Sequence, residues 1–269
     1  MSDTQLVTYS IDGGVATITL DSPHNRNALS TKLVQQLQDH LDAAAADDAV
    51  RAIVLTHTGG TFCAGADLSE AASTDGQPLD PQEVAKLRTS QMRDLLRSIV
   101  AHPKPILGQI DGHVRAGGMG LVGACDFVLA GPACTFALTE AKLGLAPSII
   151  SLTLLPKLTA RAASRYFLTG EKFGPEVAEQ IGLVTIAAED PAAVARELCA
   201  ELLKASPQGL AETKSLTTDV VLAGFEERGD ALAAMSARLF ASEEAREGMI
   251  AFLQRRPPRW AEPTVRSTE

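Results

Sequence analysis

Hydrophobic and polar positions alternate from the start of the chain. Residues 5–10 and 15–20 flank Asp12-Gly13-Gly14, which predicts two strands joined by a tight turn. Ser30 stands where a helix N-cap belongs, and Leu33, Val34, Leu37 and Leu41 recur at helical spacing across residues 31–45. Ala52-Ile53-Val54-Leu55-Thr56 is a short apolar run, the mark of a buried strand. Residues 69–81 are polar, contain Gly76, Pro78 and Pro81, and read as a mobile loop. An amphipathic helix is expected over 82–101, with Val84, Leu87, Met92, Leu95, Leu96 and Val100 as its apolar members.

Strands are then expected over 105–110, 127–130, 135–137 and 183–187, with a short helix over 121–124. A strand–strand–helix unit thus recurs, though no strict sequence repeat accompanies it. From about residue 175 the pattern is mostly helical, with stretches at 191–205, 209–222, 228–241 and 243–255. The last runs into Arg255-Arg256-Pro257-Pro258-Arg259, where two prolines stop it. A composition shift at Ser206-Pro207 divides a core, 1–205, from a helical C-terminal region, 206–269.

Composition narrows the function classes. The 269 residues can bury a large core, and 45% hydrophobic with 21% charged residues is ordinary for a globular α/β chain. Aromatic residues are 4% of the chain, too few for a single-strand stacking platform, and the net charge of −9 argues against a polyanion-binding face. No apolar run reaches the ~18 residues of a membrane helix, and Met1-Ser2-Asp3-Thr4-Gln5 does not read as a secretory signal. Cys63, Cys125, Cys134 and Cys199 lack CxxC spacing, so neither a metal site nor a disulfide framework is expected. A cytoplasmic protein with reduced thiols is the expectation. Cys63 and Cys125 read as small core residues, and Asp126 as structural.

Candidate chemistry lies in two glycine-bearing turns, each just after an apolar strand. One is Gly60-Thr61-Phe62-Cys63-Ala64-Gly65-Ala66-Asp67-Leu68, and the other runs from Asp111 through Ala116-Gly117-Gly118-Met119-Gly120. Turns of small residues can present bare N–H groups, and two that converge make an oxyanion hole. The second turn lacks both the dinucleotide fingerprint and a P-loop lysine. Glu140 follows in Phe136-Ala137-Leu138-Thr139-Glu140-Ala141, among apolar neighbours that should raise its pKa and suit it to acid/base work. Either reading, acid/base group or helix-start glutamate, fits Glu140 taken alone.

Four segments in order, Ser22 to Leu29, Phe62 to Leu68, Asp111 to Asp126 and Glu140 to Pro147, resemble the enoyl-CoA hydratase/isomerase (crotonase) superfamily. The tail from Glu243 to Arg256 resembles that family's CoA-contacting C-terminal helix. The resemblance implies an α/β fold, a crotonase-like spiral of ββα units with a helical C-terminal part, assembled as homotrimers or hexamers. It puts the oxyanion hole on the N–H groups of Ala66 and Gly117. It puts coenzyme A contacts on Arg26, Ala28, Ala64, Asp67 and Leu68, with Phe252 and Arg255 contributing from the tail. No separate cofactor is implied, because coenzyme A enters as part of the acyl-CoA substrate.

Two-glutamate hydratases of that family carry an acid three residues after the second oxyanion glycine. Here that position is Gly120, while Glu140 matches the other acid. The run Thr139 to Pro147 with Ile149-Ile150-Ser151 resembles a one-glutamate branch, the methylglutaconyl-CoA hydratases. Hydration of a 2-enoyl-CoA, of a branched or carboxylated acyl group, is therefore implied. Isomerase or hydratase-lyase activity, or acyl-CoA binding with little activity, stand as alternatives. Gly120 is expected to leave room for substrate bulk or a substrate carboxylate. Arg115 can face such a carboxylate or serve as a loop surface charge, and His113 is a candidate second acid.

Overall fold

The computed structural model describes residues 4–67, 73–74, 77–78 and 81–261. Strands β1 (Val7–Asp12) and β2 (Val15–Leu20) form the expected antiparallel hairpin. Along β2, Ala16, Ile18 and Leu20 turn inward, the period-2 pattern of a strand with one face on a core. Ser30 caps helix α1 (Thr31–Ala46) by accepting the Leu33 N–H at 3.2 Å. Leu33, Leu37 and Leu41 then follow at four-residue spacing as its buried ridge. Strand β3 (Ala52–His57) is buried across Ala52–Leu55, as its continuous apolar run requires.

Next come β4 (Thr61–Cys63), the two-residue strands β5 (Ser73–Thr74) and β6 (Gln77–Pro78), and helix α2 (Pro81–Ala101). The expected mobile loop at 69–81 otherwise lies outside the described residues, apart from the start of α2 at Pro81. Strands β7 (Ile106–Ile110) and β8 (His113–Arg115) lead into helix α3 (Gly117–Ala124), and β9 (Phe127–Ala130) and β10 (Thr135–Ala137) follow. A 3-10 turn, Glu140–Leu143, precedes α4 (Ser151–Leu154), α5 (Ala160–Thr169), α6 (Pro175–Gln180), β11 (Ile186–Ala187) and α7 (Pro191–Leu202). Helical structure therefore begins earlier than expected, at Ser151.

Two sheets organise these pieces. The larger has strand order β1-β2-β3-β7-β9-β11, all parallel except the β1–β2 hairpin. The smaller has order β10-β8-β4 and is wholly parallel. From β3 onward successive strands alternate between these two sheets, apart from β5 and β6, which pair with each other. The chain is α/β with a helical C-terminal part, as expected.

The C-terminal part departs from its expected division. Residues 209–222 and 228–241 belong to one helix, α8 (Pro207–Phe240). Gly224 lies between the two expected stretches, and a single glycine there costs about 1 kcal/mol without ending a helix. Val221 and Phe225 carry the buried stripe through it, and Arg97–Glu226 (2.8 Å) and Arg93–Asp230 tie that stretch to α2. Helix α9 (Glu243–Leu253) follows, capped by Ser242. Lys214 of α8 is buried and bonds the Asp126 carboxylate at 2.7 Å, while the same Asp126 oxygen accepts the Ile106 N–H. Asp126 is thus the structural residue expected. All four cysteines are buried and unpaired.

Candidate active site

The small sheet concentrates the chemistry at one edge. Its strands are parallel, with one irregularity in β4 between Thr61 and Cys63; Val114 lies opposite both Cys63 and Phe136, and Arg115 opposite Ala137. All three therefore end on the same side. Beyond β4 comes Ala64-Gly65-Ala66, beyond β8 comes Ala116-Gly117, and beyond β10 comes Glu140. Carboxyl ends of adjacent parallel strands are where α/β sheets hold ligands, because connections leave there and open a crevice.

Backbone pairing leaves the two donors unengaged. Leu29 pairs with Ala66 as an isolated parallel bridge, in which Leu29 N–H donates to Gly65 O (2.8 Å) and Asp67 N–H donates to Leu29 O (3.2 Å). That geometry skips the Ala66 N–H, which has no acceptor among the described residues. Gly117 is the first residue of α3, where helical N–H groups lack partners within the helix. Its neighbour Ala116 has φ 45° and ψ −118°, a strained conformation for a non-glycine residue, and no side chain caps the helix. Gly65 has φ +91°, which favours glycine, and a methyl built on it would sit 2.8 Å from Ala116 Cβ and 3.5 Å from Gly117 N. The two turns are therefore in contact, and the dipole of α3 adds positive potential at its first N–H.

Glu140 opens the 3-10 turn beyond β10. It is 8% exposed, and no donor among the described residues reaches its Oε2. Burial pushes its pKa up to about 7, partly offset by its own N–H. A buried carboxyl with an unbonded oxygen is costly, and a value near neutrality is the kind that suits proton transfer.

The expected coenzyme A contacts are only partly gathered. Residues 22–28 fold onto 58–67: Ser22 N–H and the Thr58 and Thr61 carbonyls all bond the Asn27 side chain, at 2.6, 3.1 and 2.8 Å. Arg26 and Asn27 are left-handed, with φ 60° and 52°. This turn lets the Arg26 carbonyl accept the Ala64 N–H (3.2 Å) while its side chain stays exposed. Ala28 is buried beside it, and Asn25 Nδ2 donates to Asp67 Oδ2 at 3.0 Å. Arg26, Ala28, Ala64 and Asp67 thus share one corner. Leu68 lies outside the described residues. Phe252 is on α9, 62% exposed, and no bond links it or Arg255 to that corner among the described residues.

Three expectations fail. Gly120 leaves no room for substrate: a methyl there would lie 2.5 Å from Ile150 Cγ2 and 3.1 Å from Leu96 Cδ1, so Ile150 fills the space. Arg115 turns its guanidinium back onto its own sheet, donating to Thr135 Oγ1 (2.7 Å) and Val114 O (2.8 Å), and so does not face a substrate carboxylate. His113 starts β8 rather than ending it, is exposed, and bonds Thr135 Oγ1 at 2.9 Å. It is therefore at the wrong end of the strand for a second acid. Ile150, Asn25 and Asn27 were not legible as site residues, since no spacing signal joins them to the turns they support.

Known proteins agree with this architecture. An enoyl-CoA hydratase from Mycobacterium avium is 55% identical, the match covering 96% of this chain and 100% of that one, with a TM-score of 0.89. An enoyl-CoA hydratase from Mycobacterium smegmatis is 29% identical, with coverage of 96% and 100% and a TM-score of 0.72. The 2,3-dehydroadipyl-CoA hydratase of Escherichia coli K12 is 31% identical over 91% of this chain and 94% of its own. The model of the enoyl-CoA hydratase/isomerase family matches residues 10–263, and the chain belongs to that family.

Proposed function

We propose that this chain is an enoyl-CoA hydratase that adds water across the double bond of a 2-enoyl-CoA with one acid. The observation that carries the reading is that one sheet edge holds two unengaged N–H groups and one buried carboxyl whose Oε2 accepts no bond among the described residues. In this mechanism the N–H groups of Ala66 and Gly117 hold the thioester oxygen. Ionised Glu140 takes a proton from water as the water oxygen bonds to the β-carbon. The double-bond electrons move toward the thioester oxygen, giving an enolate, and a single donor to it is worth about 3 kcal/mol of barrier. Glu140 then returns its proton to the α-carbon. The net result adds H and OH, and the carboxylate is regenerated.

Arg26, Ala28, Ala64 and Asp67 form the coenzyme A corner in this reading, and the resemblance adds contacts from Leu68 and from Phe252 on the tail. The branched or carboxylated acyl group rests on the one-glutamate resemblance, and the name of the E. coli relative supports a carboxylated one. Exposed Leu216 and Val220 on α8, 76% and 73% exposed, and Phe252 support assembly into homotrimers or hexamers, to be read by sedimentation.

The test follows the enoyl thioester absorbance with crotonyl-CoA and 3-methylglutaconyl-CoA. Wild type should bleach the band with at least one, and Glu140→Gln should bind the thioester yet lose 10²–10⁴-fold in turnover. Binding without bleaching in wild type would instead identify an acyl-CoA-binding protein, and wild-type rates in Glu140→Gln would sink the role of that residue.

A further inference from the structure

The turn that carries Glu140 meets α9 main chain to main chain. It ends on Gly144, with φ +71°, where a methyl would stand 2.6 Å from the Glu244 carbonyl carbon and 2.8 Å from Ala245 N. From the other side, a methyl on Gly248 would stand 2.5 Å from the Leu143 carbonyl carbon and 2.7 Å from its Cα, with the Leu143 oxygen nearer still. Every atom met is backbone, so no rotamer change relieves the clash. Ala245 and Ala251, at 0% and 1% exposure, continue this small-residue face. Two glycines more than a hundred positions apart thus lack side chains at the same contact, on the turn that Glu140 opens.

We infer that α9 seats the catalytic carboxyl, with Gly144 and Gly248 as positioning residues for Glu140. The inference rests on the reading of Glu140 as the base. A proton-transfer group must lie within hydrogen-bond reach of its target, and a displacement of about 1 Å can cost on the order of 10²-fold in rate. The charged groups on the elements packed here are Lys142 on the turn, Glu243, Glu244, Arg246 and Glu247 on α9, and Arg161 and Arg165 on α5. Burial is the main cause of the raised Glu140 pKa, so a tilted turn that admits water should lower it.

The test compares Gly248→Ala and the gentler Ala245→Gly with wild type and Glu140→Gln, using crotonyl-CoA. Gly248→Ala should lower kcat by about 10- to 100-fold. It should leave KM within about twofold and move the midpoint of the kcat–pH profile down. Ala245→Gly, which adds no clash, should shift both in the same directions by less, and it decides the matter if Gly248→Ala does not fold. Variants that lose only thermal stability, with the wild-type kcat and pH midpoint, overturn the inference while an inactive Glu140→Gln leaves the base assignment standing. An active Glu140→Gln removes both.

Discussion

Glu140 holds a pKa of about 7, against an ordinary 4.5, because its carboxyl is buried and its Oε2 accepts no bond among the described residues. The raised value means that the folded protein binds the proton more tightly than the unfolded chain. Stability is therefore greatest below the unfolded value and falls as pH rises through about 7. The cost, about 3 kcal/mol at 1.36 kcal/mol per tenfold, is fully present above pH 8. Glu140→Gln should accordingly unfold at higher denaturant concentration than wild type at pH 8, and the gap should close near pH 4. An equal gap at both pH values would contradict the assignment. Ala116 is also under load, its φ of 45° costing on the order of 1–3 kcal/mol. Ala116→Gly should raise stability by about 1 kcal/mol, the strain relief exceeding the added chain entropy. The same variant should reduce kcat by freeing the Gly117 donor, as steady-state kinetics beside denaturant titration would read.

Helices α3 and α4 explain why the position of the second acid is closed. Gly120 on α3 accepts Ile150 into the space its side chain would take, and Thr153 Oγ1 donates to the Gly120 carbonyl at 3.0 Å. Gly120→Glu should overpack this contact and cost about 1–3 kcal/mol, visible as a lower melting temperature. Adding Ile150→Ala should recover most of the loss; no recovery would show that Ile150 is not the obstacle. This element also marks the limit of what the sequence reveals. Periodicity located the β1–β2 hairpin, the Ser30 cap and the paired turns, because each is written in contiguous residues. The Gly120–Ile150 contact spans thirty positions and has no local signature. The continuity of α8 was missed for a related reason: the contacts that carry it past Gly224 come from α2.

Across the whole molecule, two features hold the C-terminal helices to the core and residues 66, 117 and 140 to one edge. The first is the buried Lys214–Asp126 pair, which joins α8 to the strand ends at Asp126 and Ile106. Lys214→Met should cost about 3–5 kcal/mol, since it strands a buried carboxylate, while leaving turnover per folded molecule unchanged at 25 °C. The second is the parallel register of β4, β8 and β10, which gathers residues 66, 117 and 140 although the chain separates them widely. Sequence motifs named these residues, and only the sheet explains their meeting. If Glu140 is the one acid that acts, only one ionisation should govern the reaction, and the carboxylate must be free both to take the proton of water and to return it. The most direct measurement is the pH dependence of kcat/KM for hydration of a 2-enoyl-CoA. A single rising limb centred near pH 7 and flat to pH 9 is the result expected; a bell-shaped profile with a falling limb in that range would reveal a second acid and contradict the one-acid account.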